Sequence, residues 1–188
     1  FAGGFAALSG LSLAVGVAVG EALRDAGYPQ VRLKWPNDLL VDGRKLGGIL
    51  IELRGEAMGP CDAVVGIGIN VRMPPGEPGI DQPWCDLASL APPPGRNALA
   101  ARVLERLLPA LAQFDRDGLA AFAPRWAAFD ALAGRPVRLH QGGQASDGIA
   151  LGIDASGALR VRHADGERAW HGGEASVRDA TAADPASA

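Results

Sequence analysis

Five consecutive residues, Lys34-Trp-Pro-Asn-Asp38, set a cation, an amide and a carboxylate on one corner that proline stiffens. Such a cluster suits a polyphosphate and its metal, with Lys on phosphate oxygens and Asp on Mg²⁺ directly or through water. Read blandly, it is a polar corner in which Asn37 and Asp38 make turn hydrogen bonds. Lysine usage adds weight to the first reading. Of 18 basic residues, 16 are Arg and two are Lys, and those two, Lys34 and Lys45, lie eleven residues apart. A compact ammonium and a planar guanidinium are not equivalent at a tight anion site.

Lys45 is followed closely by Gly47-Gly48, and Val65-Gly-Ile-Gly-Ile-Asn70 repeats the device with alternating glycines. Glycine inside a strand marks a bulge or the close approach of another backbone or a ligand. Gly66 and Gly68, two apart, share one face of a strand and leave a slot floored by backbone. Asn70, at the strand end, suits a polar ligand edge such as adenine. This Gly-x-Gly is not a dinucleotide fingerprint, because no third glycine and no helix follow, and a P-loop is absent too.

Positioning these residues requires a sheet. Val31–Trp35 alternates and ends at Pro36; Leu39–Val41 and Leu46–Leu53 flank Asp42-Gly43, a strong two-residue hairpin signal. Ala63–Val71, apolar on both faces, is expected at the sheet centre. Before them, Ser9–Arg24 has the spacing of a buried helix with Gly27 as its stop. Residues 72–96, rich in Pro and Gly, are expected to form a surface loop. Asn97 is expected to cap a helix reaching Asp115, with Leu99, Val103, Leu107 and Leu111 on one stripe. Leu119–Leu132 carries Phe122, Trp126 and Phe129 at helical spacing, a core pattern. From Gly134 the text changes to short strands between Gly-Gly, Asp-Gly and Ser-Gly turns, which suits a small antiparallel barrel over Pro136–Arg178.

The composition excludes several classes. With 48% hydrophobic and 21% charged residues, the 188-residue chain has the balance of a soluble globular protein. Its longest apolar stretch, Leu11–Val19, is broken by Ser12 and Gly16, too short for a membrane span. Eighteen basic against 21 acidic residues leave a net charge of −3, which gives no footprint for duplex nucleic acid. Cys61 and Cys85 make no disulfide framework and lean towards a reducing cytoplasm. The spacing of His140, His163 and His171 does not suggest a metal cluster.

KWPNDL, then KLGGILIE, then VVGIGINV, in this order and spacing, resembles the catalytic domain of biotin protein ligases, from about Leu8 to Arg178. The resemblance implies an α+β fold: a mixed, mostly antiparallel sheet with helices, plus a small SH3-like C-terminal β-barrel. It divides the chain into a partial catalytic domain (1–133), the barrel (134–179) and a disordered tail (180–188). It also implies ATP-dependent attachment of biotin, through biotinyl-5′-adenylate, to a lysine of a biotin carboxyl carrier protein. Lys45 matches the catalytic lysine and, with Gly48 and Gly66, the biotin-binding positions. Lys34, Asn37, Asp38 and Asn70 match the ATP site, with Asp38 the expected Mg²⁺ contact; Glu174 and Arg178 would join from the barrel. A homodimer paired through the sheet edge is in keeping with the family.

One departure stands out. The family's biotin loop, of the form GRGRRGR, and the Ser/Thr segment that precedes it do not occur in these 188 residues. The chain is therefore expected to correspond to part of a catalytic unit, to lack the residues for biotin's ureido head, and to expose an unpaired sheet edge. Two other readings remain open at this level: a lipoate or octanoyl transferase relative, and a fragment that binds nucleotide or dimerises without catalysis.

Overall fold

The computed structural model describes residues 1, 3–56, 58–74, 82–172 and 176–179. The expected tail, 180–188, lies outside them. Helix α1, Leu11–Asp25, follows the left-handed Gly10 and stops just before the left-handed Gly27. It is apolar all round, and 11 of its 15 residues are buried, as expected for a helix covered on more than one side. One side packs on the first sheet and the other on the later helices. By length and composition the stretch Phe5–Asp25 would suit a membrane, but here it is the central core helix.

Four antiparallel strands form the first sheet in chain order: β1 Arg32–Lys34, β2 Asp38–Val41, β3 Arg44–Gly55 and β4 Cys61–Ile69. Asp42 and Gly43 make the expected turn, with φ of 50° and 74°. The expectation for β4 needs correcting. Among the described residues it is the outer strand, with Ala63, Val65, Ile67 and Ile69 towards the core and Asp62, Val64, Gly66 and Gly68 exposed. Glycine brings no side chain to bury, so Gly66 and Gly68 give that face little apolar cover.

Helix α2, Arg96–Asp117, buries Leu99, Val103, Leu107 and Phe114, with Leu111 partly buried. Its N-cap is Gly95, without a side-chain cap, so Asn97 sits inside the first turn and does not cap it. Helix α3, Ala123–Phe129, buries Trp126 and Phe129 as core.

The second sheet is antiparallel: β5 Pro136–Gln141, β6 Gln144–Ile153, β7 Leu159–His163, β8 Gly166–Trp170 and β9 Ser176–Asp179, in the order β8-β7-β6-β5-β9. Gly142-Gly143, Ser156-Gly157 and Asp165-Gly166 lie at chain reversals, whereas Asp147-Gly148 runs within β6. A Cβ on Gly148 would come 2.5 Å from Val161 Cγ1 and 2.8 Å from the Arg162 carbonyl oxygen, so this glycine serves close strand packing.

Among the described residues, the first sheet is tied by hydrogen bonds to the linker before the second sheet and to the β6–β7 turn within it. Near the linker, Ala131 N–H donates to Leu33 C=O (2.8 Å), and the Arg32 guanidinium donates to the carbonyls of Phe129 (3.1 Å) and Asp130 (2.7 Å). At the β6–β7 turn, the Trp35 indole N–H donates to Gly157 C=O (3.0 Å), and the Ser9 hydroxyl to Ser156 C=O (2.7 Å).

Candidate functional site

The Trp35–Pro36 corner, whose peptide bond is cis, folds β1 back on β2 and sets Lys34 directly opposite Asp38. The next pairing sets Asp38 opposite Gly48. Lys45 lies at the start of β3, and its ammonium stands 2.6 Å from Asp38 Oδ1, while Lys34 Nζ stands 3.0 Å from Oδ2. Both lysines of the sequence thus converge on one carboxylate that is only 9% exposed. A largely buried charge needs such partners.

Gly48 leaves room for this arrangement: a Cβ there would meet Lys45 Cε at 3.6 Å and Asp38 Oδ1 at 3.7 Å. Gly47 has a different task, since its Cβ would fall far inside contact distance of the Gly68 carbonyl oxygen. The pair therefore combines a close backbone approach with an open slot. Beyond it a cleft of about 400 Å³ opens, lined by Asn37, Asp38 and Lys45 and floored by Gly48, Gly66 and Gly68. Leu50, 60% exposed, stands at its side.

Lys45 is also held through its backbone. Its N–H donates to Pro83 C=O (2.8 Å), and its C=O accepts from Cys85 N–H (2.9 Å). The Asn70 amide donates to the carbonyls of Lys45 (3.4 Å) and Cys85 (3.1 Å), so Asn70 stitches β3 to the 83–87 segment. Asn37 exchanges two bonds with Ile49, donating from Nδ2 to its carbonyl (2.8 Å) and accepting from its N–H (2.9 Å). Sequence reasoning missed this strap over Lys45. Its one cue was the apolar Trp84-Cys85 pair within a run otherwise rich in Pro and Gly.

Asp86 anchors the strap. Its carboxylate accepts from Met73 N–H (2.7 Å) and Ser89 N–H (2.8 Å). Burial alone would raise the Asp86 carboxyl, but those N–H groups, the Ser89 hydroxyl and Arg72 hold it below the usual carboxylate range. A depressed carboxyl stabilises the fold above its unfolded value, about 3.9, and that stability is lost as pH falls through the lower folded value. Asp86→Ala is expected to cost about 1–2 kcal/mol at pH 7 and visibly less at pH 3. Denaturant unfolding at both pH values checks this; an equal gap would contradict it.

The structure gathers Lys34, Asn37, Asp38, Lys45, Gly48 and Gly66 at one place, with Asn70 behind Lys45. Arg178 lies apart, on β9 opposite Arg138, and Glu174 falls outside the described residues. Mg²⁺ does not fit Asp38 as a direct ligand, because each carboxylate oxygen already faces an ammonium. Among the described residues no group of three His, Cys, Asp or Glu side chains comes together. In this structure Asp38 serves to place both lysines. Cys61 and Cys85 are free and buried, and burial pushes the Cys85 thiol up, away from nucleophile chemistry.

Residues 4–70 match the model of the Biotin/lipoate A/B protein ligase family, and residues 133–178 match that of the Biotin protein ligase C terminal domain. Over 178 residues the chain is 42% identical to the Bifunctional ligase/repressor BirA of Escherichia coli, which covers 94% of this chain and 56% of that protein. It is 38% identical over 170 residues to the Biotin--[acetyl-CoA-carboxylase] ligase of Paracoccus denitrificans, covering 85% of this chain and 69% of that one. The solved structure of the biotin protein ligase from Aquifex aeolicus in complex with biotin and ATP superposes with a TM-score of 0.80 at 26% identity, covering 92% of this chain and 72% of that chain. The chain thus spans little more than half the length of the Escherichia coli relative.

Proposed function

Because this chain belongs to the biotin protein ligase family, we propose that it carries the carboxylate-activating part of an ATP-dependent biotin–carrier protein ligase. A biotin carboxylate oxygen attacks the α-phosphorus of ATP, the bond to the β-phosphate oxygen breaks, and biotinyl-5′-adenylate and pyrophosphate form. A carrier lysine amine then attacks the acyl carbon, an amide forms, and AMP leaves with the bonding electron pair.

One observation carries this reading: two ammonium groups held by a single carboxylate at the mouth of a glycine-floored cleft. Carboxylate and phosphate repel each other by roughly 4 kcal/mol at 4 Å in an effective dielectric of about 20. An ammonium placed between them offsets that repulsion and stabilises the charge that develops in transit. Lys45 takes this role. Gly48 and Gly66 let biotin's chain lie against backbone, and Lys34, Asn37, Asp38 and Asn70 form or support the nucleotide side, with Mg²⁺ arriving on the ATP phosphates.

Residues 134–179 act as a separate C-terminal β-module beside a catalytic part formed by 1–133. The macromolecular partner is a biotin carboxyl carrier domain, and the outer strand β4 is the edge through which a second copy would pair. Buried, unpaired cysteines accord with a cytoplasmic setting. The full-length protein should exchange labelled pyrophosphate into ATP only when biotin is present. Exchange that ignores biotin, or none with both substrates supplied, would overturn the proposal.

A further inference from the structure

The corner that carries Lys34 and Asp38 is fastened from a distance. Trp35 is only 1% exposed, and its indole N–H donates to Gly157 C=O at 3.0 Å, across 122 residues of chain. Gly157 lies in the β6–β7 turn, which the Ser9 hydroxyl also holds, through Ser156. From the same side, Gly172 sits where a Cβ would come 3.3 Å from Pro36 and 3.9 Å from the Trp35 ring. Among the described residues, none of the second sheet lines the cleft. Besides the linker bonds to Arg32 and Leu33, its described connection to the ion-paired lysines runs through this corner.

We infer that Trp35 is a positioning residue: through its bond to Gly157, the C-terminal sheet sets the stance of Lys34 against Asp38. Lys34 adjoins Trp35 directly in the backbone; the linker bonds to Arg32 and Leu33 hold the far end of the three-residue β1, and Trp35 holds the end that carries Lys34. Removing the indole N–H frees the corner and leaves a carbonyl without its donor. The effect on nucleotide use rests on the ligase reading above, whereas the effect on Lys34 itself does not.

Lysine acylation of the full-length protein tests the tie, because Lys34 and Lys45 are the only lysines in these 188 residues. In Trp35→Phe, acylation of Lys34 by an N-hydroxysuccinimide acetate, read by peptide mass spectrometry, should rise about fivefold, the scale of one lost hydrogen bond. Gly157→Ala attacks the tie from its other end. Gly157 has φ +85°, and a Cβ there would crowd Leu119 and Leu13 at 3.1 Å, so the turn must shift. The same rise is expected. Ser9→Ala removes the hydroxyl's bond to Ser156 and leaves the Trp35–Gly157 bond in place, so Lys34 labelling should rise by less than about twofold. In the exchange assay, Trp35→Phe should raise KM for ATP about fivefold while KM for biotin stays within twofold. Lys34 labelling within twofold of wild type in both Trp35→Phe and Gly157→Ala would overturn the inference. Raised labelling in both variants of a protein whose wild type shows no biotin-dependent exchange would instead keep the tie and remove the ligase reading.

Discussion

Lys45→Met in the full-length protein is expected to lower biotin-dependent ATP/pyrophosphate exchange by roughly 10²- to 10³-fold, the usual cost of removing one preorganised group that meets developing charge. Methionine is one atom shorter but keeps an unbranched apolar stem, so packing beneath it changes little. Asp38 keeps Lys34 as a partner at 3.0 Å, which limits the penalty for its burial. The backbone of residue 45 stays tied to Pro83 and Cys85. Activity should therefore fall while the thermal midpoint stays close to wild type. Exchange retained within tenfold of wild type would remove Lys45 from the chemical step.

The neighbouring glycines should separate stability from binding. At Gly47 a methyl would run into the Gly68 carbonyl oxygen and stand 3.2 Å from Ile69 Cα, both backbone atoms of a paired strand. Neither can turn aside as a side chain would. Gly47→Ala is expected to cost about 2–3 kcal/mol, or roughly 4–12 °C in thermal midpoint for a chain of this size. At Gly48 the nearest atoms lie at ordinary contact distance, 3.6 Å and beyond, so Gly48→Ala should melt within about 2 °C of wild type. Its methyl projects towards the cleft, and biotin affinity by calorimetry should fall about tenfold. A stable Gly47→Ala, or a Gly48→Ala that binds biotin normally, would refute this division of labour.

The sequence announced local features well because they rest on local chemistry. Asp42-Gly43 reads as a tight turn since both positions accept positive φ, and the 3.6-residue spacing of Leu99, Val103 and Leu107 reads as a buried stripe. The glycine pairs were legible as places of close approach. Which glycine meets a backbone and which faces open space depends on the register between β3 and β4, and no single strand contains that information. The same limit hid the place of β4, because alternation cannot show whether a further strand lies beside it. Asp147-Gly148 has turn composition, yet β7 presses on Gly148 and keeps the strand extended. Asn70 reads in sequence as a reader of ligand edges; that its amide N–H groups hold the carbonyls of Lys45 and Cys85 depends on three-dimensional neighbours.

In the first sheet each strand pairs with the one next to it in sequence, and the Lys34–Asp38–Lys45 cluster is closed by two turns within residues 34–48. Contacts this close along the chain form quickly, whereas α1 must wait for α2, some 80 residues away, before its far side is covered. Backbone amides of β2 and β3 should therefore gain protection before those of α2 in pulse-labelled exchange during refolding; the reverse order would refute this. On that order Lys45 would meet Asp38 before the central helix is enclosed, and the charge cluster would serve folding as well as the finished cleft.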